Sequence, residues 1–172
     1  MFGFVGDLPL HPLVVHAAIV LVIASATGVI ALVIWPRWRH RFGGLLALMC
    51  LASVASSWLA VESGNVLTAL PGLGSTDHAE GGTLLLILLL PFTLTACVMY
   101  VLDRWWMVKS NEHGELYRVA HARQPMALRA ICGLAVLLSL VVMVQTGLVG
   151  HSGAAKTWDD VVPASAGGSG SR

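Results

Sequence analysis

Charge is what this sequence has least of. Lys, Arg, Asp and Glu make up 11% of its 172 residues, less than half the roughly 25% of a soluble domain. The central parts of its four longest apolar runs contain none of them. Those runs cover residues 13–34, 43–61, 83–102 and 126–149, each near the roughly 20 residues a helix needs to cross the hydrocarbon layer. With 56% hydrophobic residues and a mean hydropathy of +0.79, the chain reads as one polytopic membrane domain.

Other absences remove whole classes of function. No GxSxG elbow, phosphate-cradling glycine loop, dinucleotide fingerprint or His-Glu-x-x-His helix occurs, so the usual signatures of hydrolases, nucleotide binders and zinc proteases are missing. The net charge is +1, which gives no basis for nucleic-acid binding. Cys50, Cys97 and Cys132 fall singly in the second, third and fourth runs, without the spacing of a disulfide framework or a zinc site, and read as small apolar packing residues. Residues 1–10 contain no Lys or Arg. They lack the basic flank of a cleavable signal, and the first run is expected to remain as a spanning helix.

The few charges present set an orientation. Arg37, Arg39 and Arg41 lie between the first two runs, and Arg104, Lys109, Arg118, Arg123 and Arg129 lie between or beside the last two; the opposite side has Lys156 and Arg172. Basic loops stay in the cytoplasm, so both termini are expected outside, with the chain spanning a bacterial plasma membrane. Trp35, Trp38, Trp105 and Trp106 mark the cytoplasmic ends of the first and third spans as interfacial anchors. Within the spans, Ala24-x-x-x-Gly28, Ala52-x-x-x-Ser56 and Ser56-x-x-x-Ala60 suggest close helix approach. Pro91 frees the carbonyl of Ile87 and predicts a kink eased by Thr93 or Thr95. The polar stretch 103–124 reads as a cytoplasmic loop.

The expected fold is therefore all-α, an up-and-down four-helix bundle in the membrane. One transmembrane domain covers 1–158, with helices near 12–35, 42–62, 78–107 and 126–150, and a flexible Gly/Ser-rich tail covers 159–172.

An up-and-down bundle gathers sequence-distant groups on its outer face. His11 and His16 open the first helix, Glu62 ends the second, Asp77, His78 and Glu80 open the third, and His151 follows the fourth. Pro12 suits the first helical position, and Asp77-x-x-Glu80 resembles a capping box. Each histidine also has a plain structural reading, since imidazole at a helix mouth hydrogen-bonds to water, carboxylates or loop carbonyls. As a group they leave three functional readings open. Two histidines on facing helices, His16 with His78 or His151, can be axial ligands of a b-type haem wedged in the bundle. His16, Glu62, His78, Glu80 and His151 can bind a transition metal ion. The same groups can pass protons or sense outer pH.

Five separated motifs carry a resemblance. Leu8-Pro9-Leu10-His11-Pro12-Leu13-Val14-Val15-His16, Trp35-Pro36-Arg37-Trp38-Arg39, Glu62-Ser63-Gly64, His78-Ala79-Glu80-Gly81 and Gly150-His151-Ser152-Gly153-Ala154-Ala155-Lys156-Thr157-Trp158 resemble, in this order, small four-helix bacterial membrane proteins classed as a domain of unknown function, especially their actinobacterial branch. Some relatives are joined to Rieske or c-type cytochrome modules, so the resemblance implies electron transfer near the outer face. Some carry Asp where this chain has His151. This chain has no Cys-x-x-Cys-His and no Rieske ligand pair.

The expectation is a redox-associated membrane component, not an enzyme on its own, that holds haem b or a transition metal through His16, His78, His151 and His11, or through the His/Glu set. Its partners would be the lipid bilayer and subunits of the respiratory chain or another membrane complex. The competing expectation is a non-catalytic accessory or assembly subunit in which the cluster is structural, and a third is a metal-dependent membrane enzyme.

Overall fold

The computed structural model describes the backbone of residues 4–5, 8–68, 76–112 and 124–159, and the side chains of 13–65, 79–110 and 124–153. Four helices carry the fold: α1 (Leu10–Ile34), α2 (Arg39–Thr68), α3 (Thr76–Glu112) and α4 (Met126–Asp159). A short 3-10 turn, Pro36–Trp38, joins α1 to α2. Ahead of α1, β1 (Phe4–Val5) pairs antiparallel with β2 (Leu8–Pro9). Each helix packs against its neighbours in sequence, and α1 also packs against α4, closing the ring of an up-and-down bundle. All four helices are long and apolar enough to span a membrane.

The bundle interior is built on a spacing of alternating threes and fours. Buried positions in this series are 18, 22, 25, 29 and 32 on α1; 39, 43, 46, 50, 53 and 57 on α2; 85, 89, 92, 96, 99 and 103 on α3; and 128, 132, 135, 139, 142 and 146 on α4, with Ala26, Ser63, Thr93, Thr95 and Ser110 buried beside it. This is the 3.5-residue seam of knobs-into-holes packing. Small and hydroxyl residues are prominent in it, beside buried Leu32, Leu46, Leu85, Leu89, Phe92 and Leu128. Ser25, Gly43, Ser53, Ser57, Ala135, Ser139 and Thr146 are buried, while Leu45, Leu48, Leu51, Leu90, Leu94, Leu137 and Leu140 are exposed. Lipid tails are as apolar as leucine, so close packing around small residues contributes to helix association where leucine burial alone gives little. Most interior hydroxyls are satisfied on their own helix: Ser53 donates to the Cys50 carbonyl, Ser139 to that of Ala135 and Thr146 to that of Val142. Thr93 reaches across instead and donates to the Cys50 carbonyl on α2 at 3.3 Å.

Several local expectations change. The interface of α2 is formed by Ser53 and Ser57; Ala52 is exposed and Ser56 half-buried, so the Ala52–Ser56–Ala60 row lies off the packing face. Pro91 lies inside α3, and Thr95 donates to the Pro91 carbonyl at 2.7 Å rather than compensating Ile87. The helix expected to end near 107 runs on to Glu112, so α3 reaches further into the polar stretch read as a cytoplasmic loop. Asp103 is buried there and its charge is met by Arg39, which removes the penalty that made the segment look extramembranous. α3 begins at Thr76, so Asp77 lies inside its first turn rather than capping it, and α1 begins at Leu10, ahead of Pro12. α2 continues past Glu62, and α4 past His151, so both residues sit within helices. The expected loop residues 113–123 and tail residues 160–172 lie outside the described residues.

Candidate functional site

The two ends of the bundle differ in kind. At the histidine end, the four helices place His16, Glu62, Glu80 and His151 at one end of the ring, one on each helix, and all four side chains are exposed. The backbone of His11 lies in α1 and that of His78 in α3, but their side chains are outside the described set. Among the described residues, no group of three or more His, Cys, Asp or Glu is close enough to hold a metal ion.

At this end α3 approaches its neighbours through two glycines. A Cβ added at Gly81 would stand 3.1 Å from Val149 Cγ2, and one at Gly82 would stand 3.8 Å from Val61 Cγ2. The approach of α3 to α4 is the closer, and Gln145 on α4 donates to the Gly81 carbonyl at 3.2 Å. Any group bound through His16 or His151 would sit on the rim of the bundle, where those side chains lie.

The opposite end holds a cluster that the polarity pattern concealed. Arg39 opens α2 and is 3% exposed; Asp103 on α3 is 1% exposed. The Arg39 guanidinium donates through Nη1 to Asp103 Oδ1 at 3.2 Å, through Nε to the Leu32 carbonyl at 2.7 Å and through Nη2 to the Val33 carbonyl at 3.4 Å. The two carbonyls belong to the last turn of α1, whose acceptors have no partner within the helix. One side chain thus ties together three helices and caps one of them. In sequence, Arg39 reads as one more topology charge and Asp103 as the start of a loop. The available signal was the spacing: 39-43-46-50 and 96-99-103 continue the interior series of α2 and α3 up to the ion pair.

Around this clasp the packing is equally specific. Gly43 has no side chain where a Cβ would meet Tyr100 Cδ2 at 2.6 Å, so the absence of one lets the tyrosine ring lie against α2. Arg104 Nη1 contacts His40 Nδ1 at 2.7 Å. An arginine only donates, so this nitrogen of His40 accepts and carries no proton in the contact. Trp35 and Trp38 are exposed with ring centroids 5.9 Å apart, and Trp105 is exposed on α3, as expected of interfacial anchors. Cys50 and Cys132 are buried and Cys97 is half-buried, all as free thiols, in keeping with packing roles for the two buried ones.

No curated protein and no solved structure matches the chain. A family described as "Predicted membrane protein (DUF2231)" matches residues 7–166, a span that takes in all four apolar helices and both end clusters. The four spanning helices and this near-complete match together place the chain in that family of multi-pass membrane proteins of unknown function.

Proposed function

We propose that the protein is a non-catalytic accessory subunit, a four-helix element that other components of a bacterial membrane complex, such as a respiratory assembly, pack against. The supporting observation is the filled interior. Bulky apolar side chains such as Leu89, Phe92 and Leu128, small residues, mostly hydrogen-bonded hydroxyls and one internal ion pair occupy the described length of the seam, so the working surface is the exterior. The placement of basic residues supports an orientation with the Arg39 end in the cytoplasm and both termini outside.

A second reading is favoured by the histidine end. Exposed His16, Glu62, Glu80 and His151 stand on four different helices at one end, and His11 and His78 lie in the first turns of α1 and α3. This donor set suits a borderline transition metal or, through paired histidines, a haem at the rim. Either would make the chain a redox-associated component.

Purification from its own membranes in mild detergent separates the two. The accessory reading expects no haem band in the reduced-minus-oxidised spectrum, no stoichiometric metal, and comigration with a larger complex on native gels. Stoichiometric haem or metal that disappears in His16→Ala or His78→Ala would overturn it in favour of the redox component.

A further inference from the structure

Pro91 has no N–H, so the carbonyl of Ile87, four residues earlier in α3, lacks the donor that carbonyls of a regular helix interior have. In a membrane the usual substitutes are a nearby Ser or Thr side chain or a neighbouring helix of the same bundle. Here the two hydroxyls that stand near the proline are committed elsewhere. Thr95 donates to the Pro91 carbonyl and Thr93 to the Cys50 carbonyl on α2. The neighbouring helices lie on the other side of α3. A helical carbonyl points along the axis, here toward Pro91, and Ile87, Leu90, Pro91 and Leu94 are all exposed, so it opens on the outward face. The approach of Gly82 to Val61 and the bond from Thr93 to Cys50 put Ile87 level with Ser56 on α2, inside the apolar run of each helix. Hydrocarbon at that depth offers the carbonyl no donor.

A helix carrying Ser, Thr, Asn or Gln at the same depth has the complementary surplus, a proton that lipid tails cannot accept, and such groups hydrogen-bond across helices in membranes. Resting on the accessory-subunit reading, we infer that a transmembrane helix of another protein docks on the outward face of α3 around Pro91 and donates a side-chain hydroxyl or amide hydrogen to the Ile87 carbonyl. Leu84, Leu90 and Leu94 supply the apolar contact on either side of that bond. A second copy of this chain is the poorer match. Its outward hydroxyls nearest this depth, Ser56 and Thr83, donate to the Ser53 and Ala79 carbonyls of their own helices.

The test produces the full chain in its own host with the photo-crosslinker p-benzoylphenylalanine in place of Leu84 or Leu94 on this face, of Leu48 on α2, or of Leu137 on α4, all exposed positions. Membranes are solubilised in mild detergent, diluted in steps and irradiated. The expected result is an adduct of one mass from positions 84 and 94 and none from 48 or 137. Pro91→Ala restores an N–H to the Ile87 carbonyl, so it should raise the concentration at half-maximal adduct yield by about threefold, the worth of an average interhelical hydrogen bond, with helicity unchanged by circular dichroism. Where Pro91→Ala alters helicity, Leu90→Trp replaces it, since added bulk on a docking face should lower the yield and added bulk facing lipid should not. Adducts from 48 or 137 alone would overturn the inference and leave the accessory reading standing, whereas no adduct from any position would overturn both. An adduct of two copies of this chain, or one whose yield the substitution leaves unchanged, would also overturn it.

Discussion

Removing Asp103 should destabilise the bundle more than any comparable change on its surface. The carboxylate is 1% exposed and its partner Arg39 is 3% exposed, so Asp103→Ala leaves a guanidinium charge in a site closed to water. Breaking a buried pair from one side costs about 3–5 kcal/mol. Arg39 keeps its bonds to the Leu32 and Val33 carbonyls, which puts Asp103→Ala at the low end, about 3 kcal/mol. Arg39→Met is worse. It strands the carboxylate and also leaves two carbonyls of α1 without their donor, so it should reach the upper end, about 5 kcal/mol. The double change Arg39→Met/Asp103→Leu removes both charges and keeps only the carbonyl loss, so it should be milder than either single change. Equilibrium unfolding in mixed micelles, followed by tryptophan fluorescence and circular dichroism, measures all three. A cost below about 1 kcal/mol for Asp103→Ala, the range of exposed pairs, or a double variant worse than both singles, would refute the buried-clasp reasoning.

Two further expectations come from packing. Gly43→Ala drives a Cβ into the Tyr100 ring at 2.6 Å, whereas Gly28→Ala meets only the Leu46 Cδ1 methyl at the same distance. A ring held between helices yields less than a terminal methyl, so Gly43→Ala should lose about 1–3 kcal/mol and recover in part with Tyr100→Ala, while Gly28→Ala should lose less; thermal melts in detergent give the order. The hydroxyl of Ser57 is buried without a hydrogen-bond partner among the described residues. Ser57→Ala should leave stability unchanged or raise it, while Thr93→Val, which removes the bond to the Cys50 carbonyl, should lower it by about 0.6 kcal/mol. The same melts decide this, and a clear loss in the alanine variant would show that the hydroxyl has a partner.

The sequence made the four spans legible because hydropathy in a membrane protein reports the solvent directly. Runs 13–34, 43–61, 83–102 and 126–149 each fall within one of the four helices. Which face of each helix turned inward was far less visible, because every face is apolar and leucines stand on both, Leu89 and Leu128 inside and Leu90 and Leu137 outside. Ala52 and Ser56 looked like an interface pair for that reason, yet Ser53 and Ser57 occupy it. Helix ends were hidden by polarity. Asp103 looked like a loop residue until Arg39, 64 positions away in sequence, supplied its counter-charge. At the histidine end, one-per-helix placement of His16, Glu62, Glu80 and His151 followed from topology alone. Side-chain convergence did not, because a helix that runs on past Glu62 or His151 fixes the height of a residue without turning it toward its neighbours.

The small residues of the seam also change how sequence variation in this chain should be weighed. A substitution such as Ser139→Leu raises hydropathy and would be scored as a better membrane span, yet it adds bulk at a position that is fully buried between helices. Leu137→Val or Leu140→Ile, on exposed positions, exchanges one lipid-facing hydrocarbon for another. The residues that look most like generic membrane filler are those most free to drift. The unassuming serines, alanines and glycines spaced by threes and fours are where the fold records its identity.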